Sequence, residues 1–129
     1  WLHGVDVPAG TPVLVVIEGL LMYLSREQIA GLLDTLATRF PGCEALVEFV
    51  GRWAAGNTWW VRAVASTSAK FQGGVDAPAE LTALVPGVRV LETWNTLDHH
   101  WPRWGWMALG SFVPVLRHQH KLARLGLGP

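Results

Sequence analysis

The sequence predicts an α/β fold organised on a parallel strand pair, and three observations predict it. Val13–Ile17 is an unbroken apolar run rich in β-branched residues, the pattern of a strand buried on both faces. Arg26–Arg39 places apolar residues at helical spacing along one side. Glu44–Val50 is a second apolar-rich run of strand length. A helix joining two strands in this order implies a right-handed parallel crossover.

Taken in order, residues 1–12 form a lead-in whose Asp6, Pro8, Gly10 and Pro12 mark turns. The first strand, Val13–Ile17, ends on Glu18-Gly19. Ser25 is then the expected N-cap of the first helix, with Gln28 completing a capping box and Leu24 and Ile29 forming a hydrophobic staple. Ile29, Leu32, Leu33, Leu36 and Phe40 make the buried face, and Pro41-Gly42 stops the helix. After the second strand, Gly51–Gly56 is expected to be a loop. A second helix is expected over about Thr58–Lys70, with Trp60, Val61, Val64 and Phe71 on one side. Asp76 is expected to cap a short helix with Pro78 in its first turn; Leu81, Leu84 and Val85 supply its apolar side. Val88–Trp94 alternates only partly and is expected to be the third strand. Asn95–Gly105 reads as a loop, and Trp106–Leu116 as a helix that Pro114 kinks or ends. His118–Leu127 is expected to be a final strand, at the sheet edge.

The 129 residues make one domain or part of one, and half of them are hydrophobic, enough for a core. A formal net charge of zero argues against a nucleic-acid binder, which needs a basic surplus to neutralise phosphates. The lone Cys43 cannot make an intrachain disulfide, which points to a reducing, cytoplasmic setting. The longest apolar run is too short to cross a bilayer, and no signal peptide is visible. The chain opens Trp1-Leu2-His3 without Met, and is expected to be a fragment, a processed product or a chain whose start is missing. The sequence holds eight tryptophans, for which core packing is the default and a pocket for a flat ligand the alternative.

Glu18 is the leading candidate for chemistry. A carboxylate directly after a buried strand is costly unless solvated, paired or binding something, and ligands of open α/β sheets gather at the carboxyl ends of the strands. A salt bridge at a strand end is the alternative. His99 and His100 are candidate general bases, because a neutral imidazole accepts protons near neutral pH; a surface loop histidine is the default alternative. His118-x-His120 lies too far along the chain from them to suggest a metal site, so no metal is expected. Gly126-x-Gly128 is not a dinucleotide loop, since no helix follows it. No Gly-x-Ser-x-Gly elbow or P-loop is present.

The segment from Pro12 through Glu18-Gly19-Leu20-Leu21-Met22-Tyr23-Leu24, followed by Phe40-Pro41-Gly42, resembles the leucine carboxyl methyltransferase family, in its bacterial branch of tetracenomycin-type polyketide O-methyltransferases. Phe71-x-Gly73, Asp76-x-Pro78-x-Glu80-Leu81 and Pro86-Gly87-Val88-Arg89-Val90-Leu91-Glu92 extend the likeness toward the C-terminus. The resemblance implies a class I fold, Rossmann-like, with a mostly parallel sheet covered by helices on both faces and S-adenosylmethionine as cofactor. It implies that this chain is similar to the C-terminal half, with its strands the fourth to the seventh. The family's glycine-rich loop and its acidic residues for ribose and adenine belong to the preceding half. Glu18 matches the family's cofactor-contacting glutamate, and Gly19 and Leu20 would line the same edge. Tyr23 either faces the acceptor or packs at the helix start. Trp60 and Trp94 are the expected substrate contacts, on an aromatic helix and an aromatic loop that suit a flat small molecule, polyketide-like or a carboxylic acid. The competing expectation is a non-catalytic module that pairs with a missing N-terminal half or a second copy of itself through the unpaired edge of the first strand.

Overall fold

The computed structural model describes residues 2–57, 70–99 and 101–128, apart from the side chains of His3 and Met107. Four strands form one sheet: β1 (Leu14–Ile17), β2 (Glu44–Val50), β3 (Val88–Asn95) and β4 (His120–Leu127). Their spatial order is β1-β2-β4-β3. β1 and β2 are parallel, and β4 is antiparallel to both β2 and β3. The fold is therefore α/β with a mixed sheet in which three strands run one way and β4 runs back between two of them. The last strand is interior, not at the edge. Gly126, Leu125 and Ala123 explain why: small and apolar residues there pair on both sides and suit a position with no solvent.

Helix α1 (Arg26–Arg39) has the predicted bounds and the predicted cap. The Ser25 hydroxyl accepts from the Gln28 N–H at 3.3 Å, and Gln28 Oε1 accepts from the Ser25 N–H at 2.9 Å. Two otherwise unpaired donors of the first turn are satisfied. Replacing Ser25 by alanine is expected to lower stability by about 1 kcal/mol, read from urea denaturation; an unchanged midpoint would mean that the cap contributes nothing. Ile29, Leu33, Leu36 and Phe40 are buried against Ala45, Val47, Phe49, Ala123 and Leu125 of the sheet, in one cluster that also takes in Leu21, Leu81 and Val85. Gly42, at φ 76°, makes the turn that ends the helix segment.

The other face of the sheet is open over much of its area. Leu14 and Val16 are 61% and 60% exposed, which corrects the expectation of a first strand buried on both faces. α1 layers one face alone, and among the described residues no helix of comparable length lies on the other. That face is polar at its centre, where Arg124 reaches Glu44 at 3.4 Å and Glu92 at 3.3 Å.

Other expectations are revised. Gly51–Gly56 is not a loop, since Arg52–Gly56 is a short helix, α2. Asp76 does not cap α3 (Ala79–Thr82); its carboxylate turns to α2, accepting from the Arg52 N–H at 2.8 Å and from Arg52 Nη1 at 2.6 Å. Glu80 instead accepts from the N–H groups of Asp76 and Ala77, and also pairs with Arg52 and Arg26. Asn95–Gly105 contains a 3₁₀ turn at Thr96–Asp98 and helix α4 (Trp101–Trp104). Trp106–Leu116 is not one helix: a 3₁₀ stretch, Gly105–Phe112, gives way to α5 (Pro114–Arg117), with Pro114 in the first position where its missing N–H is harmless. The expected second helix, with Trp60, lies outside the described residues. Among the described residues tryptophan does not fill the core: Trp53, Trp101 and Trp106 are exposed, and Trp94 and Trp104 are only half-buried.

Candidate functional site

A cleft of about 480 Å³ opens at the carboxyl ends of β1, β2 and β3. Its floor is the open sheet face, through Val16, Leu46, Glu48, Trp94, His120 and Leu122, and its outer wall is Thr96, His99, Arg103 and Trp104. Glu18, the residue after β1, stands at the rim. A smaller hollow of about 180 Å³ lies between residues 7–13 and 39–43, at the opposite end of β1. The strand ends, rather than their starts, are where an α/β sheet gathers ligands, so the larger cleft is the candidate site.

A register change puts Trp94 in it. Val88 and Val90 face the core, and strict alternation would carry Glu92 and Trp94 there too. A β-bulge between Val90 and Glu92 leaves Leu91 as an extra residue and reverses the parity. Trp94 then pairs with Leu122, which pairs with Glu48, all on the open face.

Glu18 is exposed, and among the described residues its carboxylate has no hydrogen-bond partner. The Gly19 backbone turns at φ 63°, a conformation that favours glycine. The Gly19 N–H donates to Glu48 Oε2 at 2.6 Å. The other oxygen of Glu48 lies 3.0 Å from His120 Nε2. These partners explain how a carboxylate can stand within the apolar strand Glu44–Val50. The His120 hydrogen bond, more than the Gly19 one, holds the Glu48 carboxyl below its ordinary range against the opposing effect of burial. His120 Nδ1 lies 2.9 Å from Thr96 Oγ1.

The outer wall is fastened separately. Arg117 grips Asp98 with two hydrogen bonds, Nε to Oδ1 at 2.7 Å and Nη2 to Oδ2 at 2.9 Å, and Asn95 Nδ2 adds one at 3.0 Å. The Arg117 bonds, then that of Asn95, lower the Asp98 pKa from 3.8 to about 2. A depressed carboxyl stabilises the fold above its unfolded value and loses that contribution as pH falls through the folded one. The stability advantage of the native chain over Asp98→Asn is thus expected to be present above pH 3.8 and to be lost as pH falls through about 2. Urea melts at stepped pH values read it; a constant difference across that window would contradict the assignment.

Of the residues singled out in the sequence, Glu18, Trp94 and His99 are brought together at the cleft. Leu20 is 41% exposed beside it and is not among its lining residues. Tyr23 is not at the cleft: its ring meets Phe71 edge to face at 5.1 Å, in a small core with Met22, Val50 and Ala54. His100 and Trp60 lie outside the described residues. Sequence reasoning missed Glu48 and the role of His120. The available signal was a charged residue inside an apolar strand, which must find a partner.

Fold and site together define an α/β chain whose parallel strand ends in an exposed carboxylate over an aromatic-walled cleft. The chain is 31% identical over 130 residues to the tetracenomycin polyketide synthesis O-methyltransferase TcmP of Streptomyces glaucescens, covering 96% of this chain and 47% of that protein. It is likewise 31% identical over 137 residues to the S-adenosyl-L-methionine-dependent methyltransferase dpfgK of Gibberella zeae, covering 99% of this chain and 45% of that one. The chain spans about half the length of these curated relatives. The similarity to tetracenomycin-type methyltransferases expected from the Glu18–Leu24 segment is borne out. No family model matches the chain, and no solved structure matches it. No helix among the described residues is long and apolar enough to cross a membrane.

Proposed function

We propose that this chain forms the donor-facing edge and acceptor wall of an S-adenosylmethionine-dependent O-methyltransferase acting on a small molecule, polyketide-like or a carboxylic acid. The observation that carries the reading is the place of Glu18: an exposed carboxylate at the tip of a parallel strand, over a cleft floored by Val16 and Leu46. The fit is chemical. A carboxylate attracts a ligand bearing sulfonium and ammonium charges, and the aliphatic floor suits its uncharged parts. The finer fold reading follows: the four strands are one side of a class I methyltransferase sheet, and residues 1–129 are a single domain or part of one.

S-adenosylmethionine, when bound, supplies an electrophilic methyl on a good leaving group. Glu18 holds the donor's positive charge, with Gly19 and Leu20 along the same edge. Val16 and Leu46 keep water out. Trp94 and Trp104 present aromatic surface to a flat acceptor, and Arg103 attracts an acidic one. An acceptor carboxylate, with a pKa of about 4, arrives ionised and needs no base; a phenol near pKa 10 benefits from one. His99, on the outer wall, is the base that this reading assigns to a phenol. His100 and Trp60 stay candidates on sequence grounds alone. The lone, buried Cys43 accords with a reducing, cytoplasmic setting.

Titration calorimetry of S-adenosylmethionine into the chain tests the proposal, with heat and thermal protection expected. Neither heat nor protection would favour the second reading, an interaction module. Its supporting observation is β1, paired on one side only among the described residues, with Leu14 and Val16 exposed.

A further inference from the structure

We propose that Glu48 is a positioning residue that sets the conformation of the Glu18-Gly19 turn, and that His120 and Thr96 extend this control to the opposite wall of the cleft. The inference rests on the reading of that turn as the donor edge, and it assigns a role to residues that the resemblance does not touch.

The geometry is a chain of three contacts that runs across all four strands of the sheet. It starts at the turn after β1, where Gly19 N–H meets Glu48 Oε2 at 2.6 Å. It crosses β2 through Glu48 and passes to His120, the first residue of β4, at 3.0 Å. It ends at Thr96, the residue directly after β3, at 2.9 Å. The side chain of Glu48 is 15% exposed and that of His120 is 31% exposed, so water competes less for the contact between them than for one in the open. A carboxylate only accepts, so Nε2 of His120 carries a hydrogen in either protonation state. In the neutral ring Nδ1 therefore accepts from the Thr96 hydroxyl. Both nitrogens are thus engaged, and His120 orients its neighbours instead of taking a proton from a substrate.

The consequence for the turn is specific. The Gly19 N–H lies in a turn at φ 63°, beyond the last residue of β1, and Glu48 is its partner. Glu18, one residue earlier, inherits its direction from this anchor. Glu48 thereby organises a carboxylate that it does not touch, much as the partners of a ligating group fix its orientation. The same device ties Thr96, and with it the start of the segment carrying His99, to the donor edge. Two walls from opposite edges of the sheet are held at a fixed distance.

Nuclear magnetic resonance of the chain tests this directly. The Gly19 amide proton is expected at unusually low field, as a donor to a carboxylate, and to move upfield as acid protonates Glu48. In Glu48→Gln it is expected upfield at neutral pH, with the acid titration lost. In Glu48→Leu its exchange with solvent is expected to quicken by about 100-fold or more, while amides of α1 stay protected. His120→Ala is expected to raise the midpoint of the Gly19 titration toward the ordinary carboxyl value, because the bond that lowers it is gone. Glu18→Gln is expected to leave that titration in place. A Gly19 resonance indifferent to Glu48→Gln, or one that follows Glu18 instead, overturns the proposal. The methyl-donor reading fails by a different result, absence of calorimetric heat in the native chain, and the Gly19 resonance reports the clasp whichever way that goes.

Discussion

Glu18→Gln is expected to weaken S-adenosylmethionine binding by about 10- to 100-fold, or ~1.4–2.7 kcal/mol. The substitution removes one charge and leaves the shape nearly unchanged. A hydrogen bond to a charged group contributes about 1.5–3 kcal/mol, which sets the scale. The fold is not at risk: the side chain is exposed and, among the described residues, no hydrogen bond holds its carboxylate. Calorimetry on native and variant chains measures the difference. Equal affinities, with native binding established, would remove Glu18 from the site and with it the proposed donor edge.

Leu33→Ala is expected to cost about 2–5 kcal/mol of folding stability, the range for leucine truncation in a packed interior. Leu33 is fully buried, at the centre of the α1 face that meets Ala45, Val47 and Leu125. No backbone shift of a single helix refills that volume while Leu36 and Ile29 hold their own places, so a cavity remains. Urea denaturation reads the loss. The same truncation at Leu14, 61% exposed, is expected to cost less than about 1 kcal/mol. A Leu14 cost equal to that of Leu33 would mean that the open sheet face is covered in solution, as the interaction-module reading requires.

The parts of the fold that were legible depend on neighbours in sequence. The α1 bounds followed from Ser25, Gln28 and Pro41-Gly42, because a capping box and a helix stop are satisfied within four residues. The β1–α1–β2 unit followed from periodicity, and Glu44–Val50 was visible as seven residues of strand character. What went astray depends on distant partners. Asp76 has the residue type of a cap, but Arg52 lies 24 positions away and claims it. The tryptophans have the bulk of core residues, yet Trp101 and Trp106 sit on a surface segment where Trp101 meets Phe112 edge to face. β4 was visible as a strand, but its place between β2 and β3 was not, since pairing partners leave no local trace.

The site divides in the same way. Glu18-Gly19 after an apolar strand was readable, because a carboxylate at a strand end and a glycine at a turn are both local requirements. The cleft itself came from tertiary structure alone. A bulge at Leu91 turned Trp94 onto the open face, and the reversed strand β4 carried His120 to the end of the sheet where Glu18 stands. The amino-acid order thus determined the helix, the strands and the acidic turn, since each is settled by hydrogen bonds and side-chain spacing within a few residues. Only the assembled sheet decided which faces those side chains share, because strand order and register are fixed by burial and by contacts between residues 29 to more than 70 positions apart.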